Sequence, residues 1–312
     1  MEIYNSIEKI PGNPGTVIAL GMFDGVHKGH QELISKAVSQ ARERGLKSLV
    51  FTFSNNPRNV ITGKNEIKEI FTMEEKIRLI EDLGVDYLVL HTIDREFLNM
   101  EPEDFVEEIL LKTYRMKGVC CGFNYRFGAG GSGKPELLQK LGEKNGFSVD
   151  IVPPYSIQRT LVSSTLLRAF LREGQPDLYP EFTGRPYSIC GTVKKGNKIG
   201  HTIGFPTLNL VPGENLELPS NGVYAAICEI KGTFYQAVSN VGYKPTIGSC
   251  IRTVETNLLD FSGDLYDEKV RIYLFAKLRP EKKFESLEAL QEQIGRDCEN
   301  AKKWHAKNKI DL

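Results

Sequence analysis

Thr16-Val17-Ile18-Ala19-Leu20-Gly21-Met22-Phe23-Asp24-Gly25-Val26-His27-Lys28-Gly29-His30 is the stretch on which the fold turns. Its first six residues form a short apolar run closed by glycine, which reads as a buried strand. From His30 to Arg44 the pattern becomes helical and stops at Gly45. A strand feeding a helix through a glycine-containing turn is the opening unit of a parallel sheet. Gly25 and Gly29 let the backbone approach a ligand closely, and the N–H groups and dipole of the helix start favour an anion. His27 and His30, three apart, project to the same side and can add imidazole N–H donors. The chain has 5 histidines in 312 residues, so two in one turn point to a phosphate site rather than to incidental surface residues.

Working outward, the alternation continues. Strands are expected at 47–53, 86–92, 118–123 and 147–152. Helices follow the capping box Thr72-Met73-Glu74-Glu75 and run over 102–112, from Pro135, and from Ser164 to Arg172 before Gly174. This is an α/β pattern, a parallel sheet with helices on both faces. After Gln175-Pro176 the texture changes to six β-rich runs, at 187–193, 205–210, 222–230, 233–241, 253–261 and 269–276. Several alternate apolar and polar residues, so a small closed six-stranded antiparallel barrel is expected. A terminal helix over about 286–305, with Leu287, Leu290 and Ile294 on one face, packs on it. The boundary falls near 174–184, dividing 1–180 from 181–312.

Length agrees with two domains. Charged residues are 26% and the formal net charge is +0, which argues against nucleic acid as partner. No apolar run reaches the roughly 18 residues that span a bilayer, and the first residues lack the basic and apolar regions of a signal peptide. A cytoplasmic protein acting on small molecules, monomeric or transiently oligomeric, is expected. The cysteines at 120, 121, 190, 228, 250 and 298 form no C-x-x-C pair and read as reduced structural thiols.

Three further stretches carry chemistry. Ser163, Ser164 and Thr165 stand where a helix begins, and Arg168 one turn later can clamp phosphate oxygens. Gly128-Ala129-Gly130-Gly131-Ser132-Gly133-Lys134-Pro135 fits G-x-x-x-x-G-K, but Pro135 stands where a Walker loop needs a hydroxyl for Mg²⁺. It also fits a dinucleotide fingerprint with Asp150 downstream, but lies several residues past its strand, so a mobile surface loop is expected. Gly196, Gly200 and Gly204 punctuate a loop that can close over phosphates. The loop leads to Thr207 and Asn209, two apart on a strand and therefore on one face. Their oxygens suit Mg²⁺–ATP.

Gly21–His30 resembles the H-x-G-H motif of the nucleotidyltransferase superfamily, and the whole chain resembles the bacterial bifunctional riboflavin kinase/FAD synthetase family. Cys121-Gly122-Phe123-Asn124-Tyr125-Arg126-Phe127-Gly128, Val162–Arg168, Phe205-Pro206-Thr207-Leu208-Asn209 and Thr253–Phe261 are similar to that family's segments. The resemblance implies a Rossmann-like first domain forming FAD from FMN and ATP, and a barrel forming FMN from riboflavin and ATP with Mg²⁺. It implies that Gly21, Phe23, Asp24, Gly25 and Gly29 contact nucleotide, with His27 and His30 stabilising charge. Asn124 helps bind flavin, and Ser164, Thr165 and Arg168 hold ATP phosphates. In the barrel, Gly196, Gly200, Thr207 and Asn209 hold Mg²⁺–ATP, Glu255 is the base, and Arg279 borders the flavin. Departures stand at His201, Asn257, Asp267 and Ser54-Asn55-Asn56-Pro57, where the family usually has arginine, histidine, glycine and an acidic-Pro-His-Pro run. An FAD synthetase with an impaired or lost kinase, a non-enzymatic flavin-binding regulator and an NAD oxidoreductase are the alternatives.

Overall fold

The computed structural model describes residues 1–194, 205, 207–246, 249–261, 263 and 265–310, without the side chains of 244–246, 249 and 250. They form two compact units: Met1–Lys68 with Met73–Ser163, and Glu69–Thr72 with Ser164–Leu312.

The first unit is built on β1 (Glu2–Tyr4), β2 (Thr16–Leu20), β3 (Lys47–Phe53), β4 (Tyr87–His91), β5 (Met116–Gly122) and β6 (Ser148–Val152). All pair in parallel, in the order β1-β4-β3-β2-β5-β6. β2 is buried at every position, as a central strand covered on both faces must be. Helix α1 (Lys28–Glu43) turns Leu33, Ile34, Ala37, Val38 and Ala41 inward at helical spacing. Helices α2 (Met73–Glu81) and α3 (Pro135–Asn145) fall where capping box and proline place them. The helix expected at 102–112 starts at Pro102 but winds in the wider π form over Phe105–Thr113. β1 is an addition: three residues of strand carry too little pattern to be seen in sequence. Strand order reverses between β2 and β5, and such a switch point opens a crevice at the strands' carboxyl ends.

The glycine-rich stretch is tied down, where a mobile loop was expected. Phe127 and Gly133 exchange backbone hydrogen bonds of 3.2 and 2.9 Å, and Ala129 N–H donates to Met100 O at 2.7 Å. Gly128, at φ +72°, leaves no room for a side chain, since a Cβ there would lie 2.7 Å from Pro102. A short hairpin, β7 (Ser156–Ile157) and β8 (Thr160–Leu161), ends this unit.

The second unit begins with helix α4 (Ser164–Glu173), so the composition change at 174–184 lies inside it. Its sheet has β9 (Tyr187–Thr192), β10 (Thr207–Leu210), β11 (Gly222–Ile230), β12 (Thr233–Thr246), β13 (Ser249–Leu258) and β14 (Lys269–Arg279). The order is β10-β13-β12-β11-β14-β9, antiparallel throughout. Its edges meet where Lys194 N–H donates to Asn209 O at 2.8 Å, which closes the barrel. Helix α5 (Leu287–Lys307), N-capped by Ser286, packs Ala301 against Val223, Val238 and Leu259. Among the described residues no helix is long and apolar enough to cross a membrane.

Candidate active sites

In the first unit, the turn after β2 lies at the switch point. His27 is the N-cap of α1, its Nδ1 accepting the His30 N–H at 3.2 Å. An Nδ1 that accepts carries no proton, so the neutral ring has its N–H at Nε2. The His27 and His30 rings stack 3.6 Å apart at 17°, and Phe23 meets His30 edge-on at 5.4 Å. Phe23 is fully enclosed by protein, so its ring props His30 and only its backbone is left to meet a ligand. A Cβ at Gly21 would lie 2.9 Å from the Phe23 ring; glycine there makes space for this prop.

The turn is strained. Phe23 has φ +47° and Val26 φ +34°, beside Gly25 at +81°, and bulky or β-branched residues seldom enter that region. Such strain persists where the surroundings over-determine it, commonly at functional sites. Asp24 is buried. Gly29 faces Tyr155, whose Cβ would be 3.1 Å from an added one. The first turn of α1 carries no acidic residue, which leaves its positive end to an anion. Across the switch point, the turn after β5 exposes Phe123 and Asn124, with Tyr125 N–H donating to Gly122 O at 3.0 Å. Burial pushes the Cys120 and Cys121 thiols up to about 12, as inert structural thiols should be.

In the second unit, α4 has Ser164 half-buried, Thr165 exposed and Arg168 buried at its start. The barrel brings together residues that are far apart in sequence. Asn209 on β10 pairs with Glu255 on β13, which pairs with Asn240 on β12. Thr207 pairs with Asn257, which pairs with Val238. Directly opposed residues share a face, so Thr207, Asn209, Glu255, Asn240 and Asn257 form one polar patch. The opposite face turns Ser239 and Thr256, 2.7 Å apart, into the barrel. The register with Glu255 is what brings Asn240 to this patch.

Asn209 is 8% exposed, and its Oδ1 is buried without a hydrogen-bond partner among the described residues. A buried acceptor left unsatisfied costs about 1–3 kcal/mol, so a cation or donor is the expected occupant. An orphan amide oxygen beside a threonine hydroxyl fits Mg²⁺, which takes few protein oxygens and keeps waters and substrate phosphates. Asn257 accepts from the Cys298 thiol at 3.6 Å, a thiol that burial pushes up to about 11. Arg279 is engaged elsewhere: its Nε and Nη2 donate to Asp297 of α5 at 2.8 and 2.7 Å, and Nη1 to Pro280 O. Gly196, Gly200 and His201 lie outside the described residues.

Comparison with known proteins assigns each unit a relative. The FAD synthetase family model matches residues 9–166 and the riboflavin kinase model residues 183–305. The bifunctional riboflavin kinase/FMN adenylyltransferase of Escherichia coli K12 is 34% identical over 302 residues, 95% of this chain and 96% of that protein. The protein of the same name from Bacillus subtilis is 35% identical, over 92% of this chain and 91% of its own. A solved structure described as a macrolide-efflux protein from Streptococcus pneumoniae superposes with a TM-score of 0.87 at 30% identity, covering 97% of this chain and 100% of that one. The fold is thus shared along nearly the whole chain.

Proposed function

Because the chain belongs to the bifunctional riboflavin kinase/FMN adenylyltransferase family, we propose that it makes FAD in two ATP-dependent steps. Riboflavin and ATP give FMN and ADP; FMN and ATP then give FAD and pyrophosphate. The second step belongs to residues 1–180 and the first to 181–312. The observation that carries the reading is the register pair Asn209–Glu255, an orphan oxygen beside a carboxylate on one barrel face.

In the kinase step, the ribityl 5′-hydroxyl attacks the γ-phosphorus of ATP, the bond to ADP breaks, and Glu255 accepts the hydroxyl proton. Thr207 and Asn209 would hold Mg²⁺, which when bound neutralises phosphate charge. In the adenylyl step, an FMN phosphate oxygen attacks the α-phosphorus of ATP and pyrophosphate leaves. No protein nucleophile is needed, so the site works by positioning and charge stabilisation. His27, His30 and the start of α1 stabilise phosphate charge; Ser164, Thr165 and Arg168 add donors; Asn124 contacts flavin. Arg279 serves through Asp297, holding α5 against the barrel. The enzyme acts in the cytoplasm on small molecules, as a monomer or transient oligomer, without nucleic acid or membrane. Incubation with riboflavin, Mg²⁺ and ATP, followed by chromatography, is expected to yield FMN and then FAD. Conversion of FMN to FAD without conversion of riboflavin to FMN would leave only the adenylyl step.

A further inference from the structure

Three of the four residues from Phe23 to Val26 have positive φ, at +47°, +81° and +34°. Phe23 and Val26 would each gain by rotating back to the usual region, so the surroundings must hold the turn. The peptide groups that border the stretch, Met22–Phe23 and Val26–His27, are each tied by a side chain. Thr52 Oγ1 donates to Met22 O at 3.0 Å, and Gln31 Nε2 donates to Val26 O at 2.8 Å. A peptide group is a rigid plane, so a bonded carbonyl fixes the whole of it. The first tie sets the rotation that enters Phe23, the second the rotation that leaves Val26.

Both holders are themselves fixed. The main-chain ladder between β2 and β3 reaches Gly21, whose N–H donates to Phe51 O at 3.4 Å. One residue further, the fully enclosed Thr52 continues it with its hydroxyl, to the carbonyl of Met22. Gln31 lies in the first turn of α1, its own N–H donating to His27 O at 2.9 Å while its side chain reaches back to Val26. A strand and a helix thus grip the turn from its two ends, and the same helix start carries His27 and His30. Neither side chain needs to touch a ligand. We propose that Thr52 and Gln31 are positioning residues for adenylyl transfer, holding the Phe23–Val26 turn so that His27 and His30 meet the ATP phosphates. All of these residues lie in the first unit. This inference rests on the reading of the turn as a phosphate site.

The test uses the full chain and both reactions. Thr52→Val keeps the shape and removes the hydroxyl, whereas Thr52→Ser keeps the hydroxyl and removes a methyl. Gln31→Met keeps the length and removes the amide donor. Misplacement near 1 Å costs about 10²-fold, so Thr52→Val and Gln31→Met should each lower kcat for FAD formation about 10- to 100-fold. KM for ATP in that step should stay within about threefold, the pattern of a contact made in the transition state. Thr52→Ser should keep at least about a third of the parent turnover, and riboflavin phosphorylation should stay within about twofold in all three variants. Where Thr52→Val does not fold, Gln31→Met, on a half-buried side chain, carries the same expectation. A merely structural role would lower the melting temperature and leave turnover of the folded enzyme unchanged. It would also make the loss of a methyl in Thr52→Ser as damaging as the loss of the hydroxyl in Thr52→Val. Unchanged FAD formation in Gln31→Met, a Thr52→Ser variant as impaired as Thr52→Val, or equal loss of both activities would overturn the inference. A parent chain that phosphorylates riboflavin but forms no FAD from FMN would instead overturn the reading of the turn, and the inference with it.

Discussion

In the first unit the groups proposed to bind phosphate come from one unbroken stretch, Gly21 to His30, wound around the start of α1. In the second, Thr207, Asn209 and Glu255 reach one face only because β10 and β13 pair antiparallel. The first arrangement draws on backbone: helix N–H groups, a dipole, glycines and an N-cap imidazole, all aimed at charge. The second draws on side chains that project alternately from strands, and includes a carboxylate able to take a proton. The chemistry differs in the same way. A phosphate monoester is already a competent nucleophile and needs only to be placed, whereas a ribityl hydroxyl must lose its proton as it attacks.

The sharpest way to break this contrast is Glu255→Gln, which preserves size and register but removes the basic carboxylate. Riboflavin phosphorylation should fall by about 10²–10⁴-fold, while FAD formation from FMN stays near normal. Both rates, measured on one preparation, check it; an unchanged kinase would mean that proton transfer uses another group.

His27 is the corresponding lever in the first unit. His27→Asn retains an N-cap side chain and removes the imidazole, so α1 should stay intact while FAD formation falls about 10²–10³-fold. Melting and turnover, read together, separate the cap from the donor. Equal activity in His27→Asn and the parent would show that capping is the residue's whole contribution.

These two regions differ equally in how much a reader of sequence can see. The turn after β2 is contiguous, with strand, glycines, histidines and helix in order, and its location is legible in the sequence alone. Its strain was not: nothing in the letters Phe23 and Val26 announces a positive φ, because that conformation is imposed by the surrounding fold. Six barrel strands were legible from alternation and turn residues, yet the pairing of Asn209 with Glu255 was not. Register is set by long-range hydrophobic matching and turn geometry, neither of which is local. Arg279 shows the same limit, since its partner Asp297 lies on a helix that only tertiary packing brings near. α4 belongs to the second unit although it precedes the composition change, and its Arg172–Glu217 ion pair joins residues that no local pattern links.

Asn209→Leu probes the barrel site more gently. The substitution removes a buried oxygen that has no partner among the described residues, and an unsatisfied acceptor costs about 1–3 kcal/mol. The second unit should therefore melt at the same or a higher temperature. At the same time, the Mg²⁺ concentration for half-maximal kinase activity should rise about tenfold, the loss of about 1.4 kcal/mol of binding. Stability and function would move apart, as at sites kept strained for activity. A lower melting point with unaltered Mg²⁺ dependence would make Asn209 a packing residue.

The smallest expected effect lies at Asp267, one of the departures from the family pattern. Its φ is +64°, in the left-handed region where glycine is at ease and ordinary residues lose about 1–2 kcal/mol; aspartate, with its short polar side chain, loses less. Main-chain bonds tie the turn: Asp267 N–H donates to Val193 O at 3.1 Å, and Val193 N–H returns a bond to Glu268 O at 2.9 Å. Asp267→Gly would relieve the strain but enlarge the unfolded ensemble, an opposing cost of roughly 0.5–1 kcal/mol. The two nearly cancel, so stability should change by less than about 1 kcal/mol, a shift of at most about 4 °C for a unit of this size. Kinase activity should not change, because the side chain is exposed and the main-chain bonds remain. That outcome would separate turn conformation from chemistry and mark Asp267 as a tolerated replacement. A tenfold loss of kinase in a variant that melts normally would show instead that the Asp267 carboxylate has been recruited to the barrel site.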